Sequence, residues 1–313
     1  MHHQTQTIGF LGLGLMGSRM AGRLLEAGYP LTGYNRTRER TQPLAGRGAR
    51  VANTPQELAR MADVVLLSLA DDAALDATMR GPQGVLAGLR AGATVIDLST
   101  VSPRISRTLA LDVKARGGSM LDAPVSGSTP QAEQGALNLL VGGDEDTYRQ
   151  CRPILQALGQ QSFYLGPNGM GLVMKLVVNA MLGLSVQALA EAIALGEGAG
   201  LEKDRLLDVL GQMAVVSPSQ KSKLENARND AYPPTFPLQH MDKDFGLIGE
   251  LAAQADVPLP ATTAAHQMSK AAHGQGLEGD FSVVIRLMRQ LAGLDPRGAA
   301  YRHYSPFHTG NQY

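Results

Sequence analysis

The chain has 313 residues, room for about two domains, and its 44% hydrophobic and 18% charged content is that of an ordinary globular protein. Lysine plus arginine and aspartate plus glutamate each number 28, so no global field recruits nucleic acid or an anionic membrane. The only cysteine, Cys151, excludes an intrachain disulfide and a multi-cysteine metal centre. With no basic, apolar leader in MHHQTQTIGF and no uninterrupted apolar run of ~18–20 residues, a cytoplasmic location is expected.

In chain order, 7–14 (TIGFLGLG) reads as a buried strand ending in glycines, 15–28 as a helix closed by Gly28, and 29–35 (YPLTGYN) as the next strand. Residues 54–62 read as a helix capped by Thr54, with Pro55 at its first position and Glu57 completing a capping box. Residues 63–70, 93–99, 118–125 and 137–143 are further strands. Strands alternating with helices predict an α/β, doubly wound, largely parallel sheet of the Rossmann type over 1–167. From 168 the period is helical nearly throughout. One helix over 168–195, ended by glycines 196, 198 and 200, is followed by helices at 201–213, 237–254 and 280–294. This predicts an all-helical domain over 168–295. The remainder, 296–313, is a tail, either a mobile end or an arm laid on a neighbouring subunit. Cys151 is expected at a helix start, without the histidine partner of a nucleophile. The histidines show no metal-ligand spacing, so no metal is expected.

Gly12-Leu13-Gly14-Leu15-Met16-Gly17 ends a predicted strand and opens a predicted helix, the context required of a dinucleotide fingerprint. Gly12 permits the tight turn, Gly14 lets pyrophosphate approach the backbone, and Gly17 lets helix pack on strand. Free N–H groups at the helix start favour phosphate. The second strand ends in Tyr34-Asn35-Arg36-Thr37-Arg38 with no carboxylate to bind a ribose 2′-hydroxyl. Arg36 could pair with a 2′-phosphate, with Asn35 and Thr37 adding hydrogen bonds, so NADP(H) is preferred and NAD(H) is possible. The alternative is that Arg36 and Arg38 are solvated loop charges.

Lys175 is the only charge in the apolar stretch GMGLVMKLVVNAMLGL (169–184), and Asn179 follows four residues on, on the same helical face. An ammonium there either snorkels to water or is kept for chemistry. Ser126-Gly127-Ser128 follows a strand end and offers backbone N–H groups and hydroxyls to a carboxylate, unless it is a plain turn. Thr100 ends another strand, as substrate neighbour or helix cap.

The ordered motifs FLGLGLMGSRMAGRLLEAGY, DLSTVSP (97–103), DAPVSGS (122–128), GMGLVMKLVVN (169–179) and DKDFGL (242–247) resemble those of the β-hydroxyacid dehydrogenase family over roughly 7–295. That family includes 3-hydroxyisobutyrate dehydrogenase, tartronate semialdehyde reductase and glyoxylate/succinic semialdehyde reductase. The resemblance implies a Rossmann domain followed by a helical domain, an active site in the cleft between them, and subunits paired through the helical half as a homodimer or homotetramer. It implies that Lys175 is the catalytic acid/base and Asn179 its active-site companion. Ser126, Gly127 and Ser128 would receive the substrate carboxylate, with Thr100 beside the nicotinamide. Lys243 and Asp244 would lie near cofactor and substrate, and the loop Leu69-Ala70-Asp71 would run along the cofactor. Phe236 would wall the pocket. Two departures stand out: Ser128 replaces a glycine common in the family, and Ala70 replaces a common proline. The expected reaction is hydride transfer between NADP(H) and a small carboxylated aldehyde or β-hydroxyacid. Imine reductases share the architecture but usually lack the lysine, and a cofactor-binding protein without turnover is the non-enzymatic alternative.

Overall fold

The structure, a computed structural model, describes residues 6–294, so the tail assigned to 296–313 lies outside the described residues. The chain divides into two compact units, residues 1–177 and 178–313.

The first unit is built on a nine-stranded sheet: β1 (Ile8–Leu11), β2 (Leu31–Tyr34), β3 (Arg50–Val51), β4 (Val64–Leu67), β5 (Thr94–Asp97), β6 (Ser119–Asp122), β7 (Val125–Ser126), β8 (Leu137–Gly143) and β9 (Gly159–Tyr164). The order is β3-β2-β1-β4-β5-β6-β8-β7, with β9 on β8. The pairs from β3 to β6 are parallel, as the alternation of strand and helix predicts, and β8 runs antiparallel to β6 and β7. Both faces of the parallel strands are buried, which is why they read as continuous apolar runs. Ile8, Phe10, Val64, Leu66 and Ile96 fill the core on one face, and Leu11, Val65, Leu67 and Val95 fill the core on the other.

Several expectations shift by local chemistry. The strand expected over 118–125 splits into β6 and β7, because Pro124 has no N–H to donate; its carbonyl accepts from Leu140 instead, at 3.0 Å. Thr54 caps the helix Pro55–Met61 as expected, accepting from the Glu57 N–H at 3.0 Å. The Glu57 carboxylate reaches back to the N–H of Asn53, not Thr54, at 2.7 Å. Cys151 lies within the helix Glu145–Leu158, not at its start, and is buried; burial pushes its thiol up to about 11.

The second unit contains no strand among its described residues; its helices are Lys203–Gln212, Pro218–Asn229, Leu238–Gln254, Pro260–Gly274 and Val284–Leu291. The helix Met170–Gly198 begins in the first unit and continues into the second. It runs through Gly196 and Gly198, past the expected end at 195. Gly196 serves close approach: a Cβ there would stand 2.6 Å from Leu206. Gly200, at φ +97, follows the helix end. This helix is long and apolar enough to cross a membrane by length and composition, although Lys175 and Asn179 interrupt its apolar run as the sequence reads. Its contacts within the second unit are those of a core helix: Ser185 accepts from Gln220, Glu197 pairs with Arg289, and Gly183 abuts Phe245.

Candidate active site

The glycine-rich loop follows β1. Gly12 has φ +90, and a Cβ there would lie 2.1 Å from the Ser68 carbonyl oxygen, so both its conformation and its surroundings demand glycine. A Cβ on Gly17 would lie 1.9 Å from the Gly12 carbonyl oxygen, so the helix Leu15–Glu26 packs directly on the loop. Gly14 caps that helix with no side chain, and a Cβ on it would meet nothing within 4 Å. The helix start is therefore open to a phosphate, which its N–H groups and dipole favour. Leu15 is exposed and Met16 half-buried beside it.

Asn35 turns out to serve the loop. Its Oδ1 accepts from the Leu13 N–H at 2.9 Å and its Nδ2 donates to the Thr37 carbonyl at 2.8 Å. Arg38 is exposed and donates to Asn53 at 2.5 Å. Arg36 and Thr37 are exposed at the end of β2. These residues fit a dinucleotide: an open helix start, a guanidinium at the second strand end, and no carboxylate in the sequence there.

The loops after β4 and β5 are stitched together. The Leu69 N–H donates to Ser99 Oγ at 2.9 Å, and Ser102 donates through its N–H and hydroxyl to the Asp72 carboxylate at 2.8 and 2.5 Å. Leu69 and Thr100 sit half-buried in these loops, and Ala70 is exposed. Ser99, Asp72 and Ser102 were missed in the sequence, although polar residues clustered after two apolar strands were the available signal.

Ser126 ends β7, and Gly127 adopts φ +133, where a Cβ would stand 2.8 Å from Leu137. Ser128 precedes the short helix Thr129–Gln134 and donates through both its N–H and its hydroxyl to Gln131 Oε1, at 3.0 and 2.6 Å. The hydroxyl that distinguishes this chain at position 128 is thus engaged locally. Lys175 lies half-buried on the long helix, which carries no other cation.

In the second unit Asn179 is 1% exposed, and its Nδ2 donates to Asp244 at 2.6 Å. Asp244 is also buried, and the Lys243 ammonium lies 3.2 Å from its other oxygen. Asp244 therefore binds Asn179 as well as Lys243. The buried Oδ1 of Asn179 has no partner among the described residues. Phe236 is half-buried, stacks on His240 at 6.2 Å, and its N–H donates to Asp280 at 3.0 Å. Asp280 also accepts from Thr235 and Ser282 and pairs with the buried Lys223 at 2.9 Å. Its carboxyl lies below the ordinary range, because burial, the largest influence and an upward one, is outweighed by these bonds and the Lys223 charge. Lys223 and Asp280 were also missed; no local pattern joins residues 57 apart.

An α/β unit with a glycine-rich phosphate loop, followed by a helical unit, is the architecture of a dinucleotide-binding protein. Residues 7–166 match the family model for the NAD binding domain of 6-phosphogluconate dehydrogenase, and residues 169–288 match the NAD-binding domain of NADP-dependent 3-hydroxyisobutyrate dehydrogenase. The chain is 38% identical over 287 residues to glyoxylate/succinic semialdehyde reductase 2, chloroplastic, of Arabidopsis thaliana, covering 91% of this chain and 80% of that one. Among solved structures, Mycobacterium tuberculosis 3-hydroxyisobutyrate dehydrogenase with L-serine matches at TM-score 0.81 and 31% identity, over 91% of this chain and 99% of that one. Psf3 in complex with NADP+ and 2-OPP matches at TM-score 0.81 and 27% identity, over 90% and 100%. The chain belongs to the β-hydroxyacid dehydrogenase family and is an NAD(P)-dependent oxidoreductase acting on CH–OH groups.

Proposed function

We propose that the enzyme reduces a small carboxylated aldehyde with NADPH and oxidises the corresponding hydroxyacid in the reverse direction, with Lys175 as the general acid/base. The substrates named for the relatives, glyoxylate, succinic semialdehyde and 3-hydroxyisobutyrate, define the class. The observation that carries the reading is Lys175 as the sole cation of a long apolar helix, followed one turn later by a buried asparagine with a fixed amide. When bound, the nicotinamide supplies or accepts the hydride. Lys175 gives a proton to the carbonyl oxygen in reduction and takes it back in oxidation. Asn179, its Nδ2 committed to Asp244, offers Oδ1 as an acceptor to the ammonium or to a substrate hydroxyl. Ser126 and the backbone around Gly127 receive the carboxylate, and Ser128, tied to Gln131, narrows that end. Thr100, Leu69 and Ala70 border the cofactor, Lys243 neutralises substrate or cofactor charge, and Phe236 walls the pocket.

Arg36 supports the preference for NADP(H), as a guanidinium at the place where NAD-selective sites carry a carboxylate. Domain limits of 1–167 and 168–295 belong to the same reading. Assembly as a homodimer or homotetramer through the helical unit is supported by the exposed apolar side chains Met181, Leu195, Leu201 and Val215. The single buried cysteine supports a cytoplasmic, reducing setting. The test is NADPH oxidation, followed by absorbance, with glyoxylate, succinic semialdehyde and methylmalonate semialdehyde. Turnover with at least one is expected, and none with any of them overturns the assignment.

A further inference from the structure

We infer that Asp122 is a positioning residue that sets the reach of Lys175, an inference resting on the reading of Lys175 as proton donor. Asp122 ends β6 and is fully buried. Its Oδ1 accepts from the Gly169 N–H at 2.6 Å and its Oδ2 from the Leu172 N–H at 3.1 Å, with Ser106 Oγ 3.4 Å from Oδ1. These are backbone donors at the start of the helix Met170–Gly198, groups that have no intrahelical partner. A cap drawn from the next few residues would serve the helix end alone. Here the acceptor comes from a sheet strand about 50 residues earlier, so the same bonds fix the helix on the sheet.

Two glycines shape the seat. Gly142 of β8 stands opposite Asp122 in register, and a Cβ there would lie 2.8 Å from each carboxylate oxygen. A Cβ on Gly171 would lie 2.2 Å from the Leu140 carbonyl oxygen and 2.9 Å from Asp122 Oδ2. The first helical turn is thus pressed onto β8 with the carboxylate between them, which fixes both its height and its rotation. Lys175 follows Leu172 by three residues, roughly 4.5 Å along the axis. Little chain intervenes to absorb an error, and a displacement of about 1 Å at a reacting group costs on the order of 10²-fold in rate.

Asp122→Asn keeps the shape but turns an amide NH2 toward one of the two helix N–H groups, leaving that donor unpaired. The experiment is a double-mutant cycle in kcat among wild type, Asp122→Asn, Lys175→Ala and the double variant, with NADPH affinity measured for each. The expected result is a kcat loss of about 10–100-fold for Asp122→Asn in the wild-type background and less than about twofold in the Lys175→Ala background, with NADPH Kd within about threefold throughout. Wild-type kcat in Asp122→Asn, or an equal loss in both backgrounds, overturns the positioning role alone. A Lys175→Ala enzyme with full turnover overturns the reading of Lys175, and the inference with it. Should Asp122→Asn fail to fold, Asp122→Ser, with a shorter acceptor, is read by the same ratio.

Discussion

Asp244 holds the side-chain amide of Asn179 at 2.6 Å, and both groups are buried. A carboxylate accepts only, so the amide nitrogen must face it and the carbonyl oxygen must face away. Removing the carboxylate frees the amide to turn. Asp244→Ala is expected to lower kcat about tenfold or more, comparable to losing a positioned polar contact. Asp244→Ala with unaltered steady-state kinetics would show that the amide orientation does not matter.

Lys175→Ala removes the proposed proton donor, and proton donors contribute ~10²–10⁴-fold. Turnover should fall by that range while NADPH affinity, measured by fluorescence titration, holds within about threefold. Retention of more than a tenth of kcat would refute the role.

Arg36→Ala should weaken NADPH by about tenfold or more and NADH much less, since only NADPH carries the 2′-phosphate that a guanidinium pairs with. Dissociation constants for both cofactors decide it, and equal weakening would contradict the pairing.

Asp97 is fully buried, with its Oδ1 accepting from the Ser99 N–H at 3.0 Å and its Oδ2 unpartnered among the described residues. Burial raises its pKa from 3.8 to about 7, against the Ser99 bonds. A carboxyl with a higher pKa folded than unfolded binds more protons when folded. Its contribution to stability is therefore complete below about pH 4 and lost as pH rises through about 7. Asp97→Asn should flatten that fall, so that its stability declines less than that of the wild type between about pH 4 and 8. Denaturation midpoints across this range check it, and parallel curves for the two proteins would argue against it.

Asp280 neutralises Lys223 and gathers Thr235, Ser282 and the Phe236 N–H. Asp280→Ala leaves the buried ammonium uncompensated, at a cost of about 3–5 kcal/mol. Urea denaturation reads this directly. Asp280→Asn, which keeps an acceptor for the neutral donors, should lose less.

Part of this architecture is legible in the residues alone, and the division follows the range of the forces. The glycine loop is legible because Gly12 and Gly17 answer local demands, and the buried strands because two apolar faces write a continuous run. The helix Pro218–Asn229 is not, since its buried positions include Gln220 and Lys223, which write no apolar stripe. Nor is β9, whose GQQSFY is mostly polar and largely half-buried or exposed. Lys175 and Asn179 are legible as one helical face. Asp122, Asp244 and Asp280 act on partners 44 to 65 residues away, and no local spacing encodes such pairs.

The tether from Asn35 to Leu13 bears on how cofactor choice can change. The acceptor that holds the phosphate loop is the Oδ1 of a residue at the strand end where NAD-selective relatives of this architecture place an acid. Aspartate at 35 would keep that acceptor but would set a carboxylate oxygen against the Thr37 carbonyl, where the amide now donates. The loop would survive the exchange, and a new carboxylate would stand beside Arg36. A single position thus ties the shape of the phosphate loop to the chemistry presented at the end of the second strand.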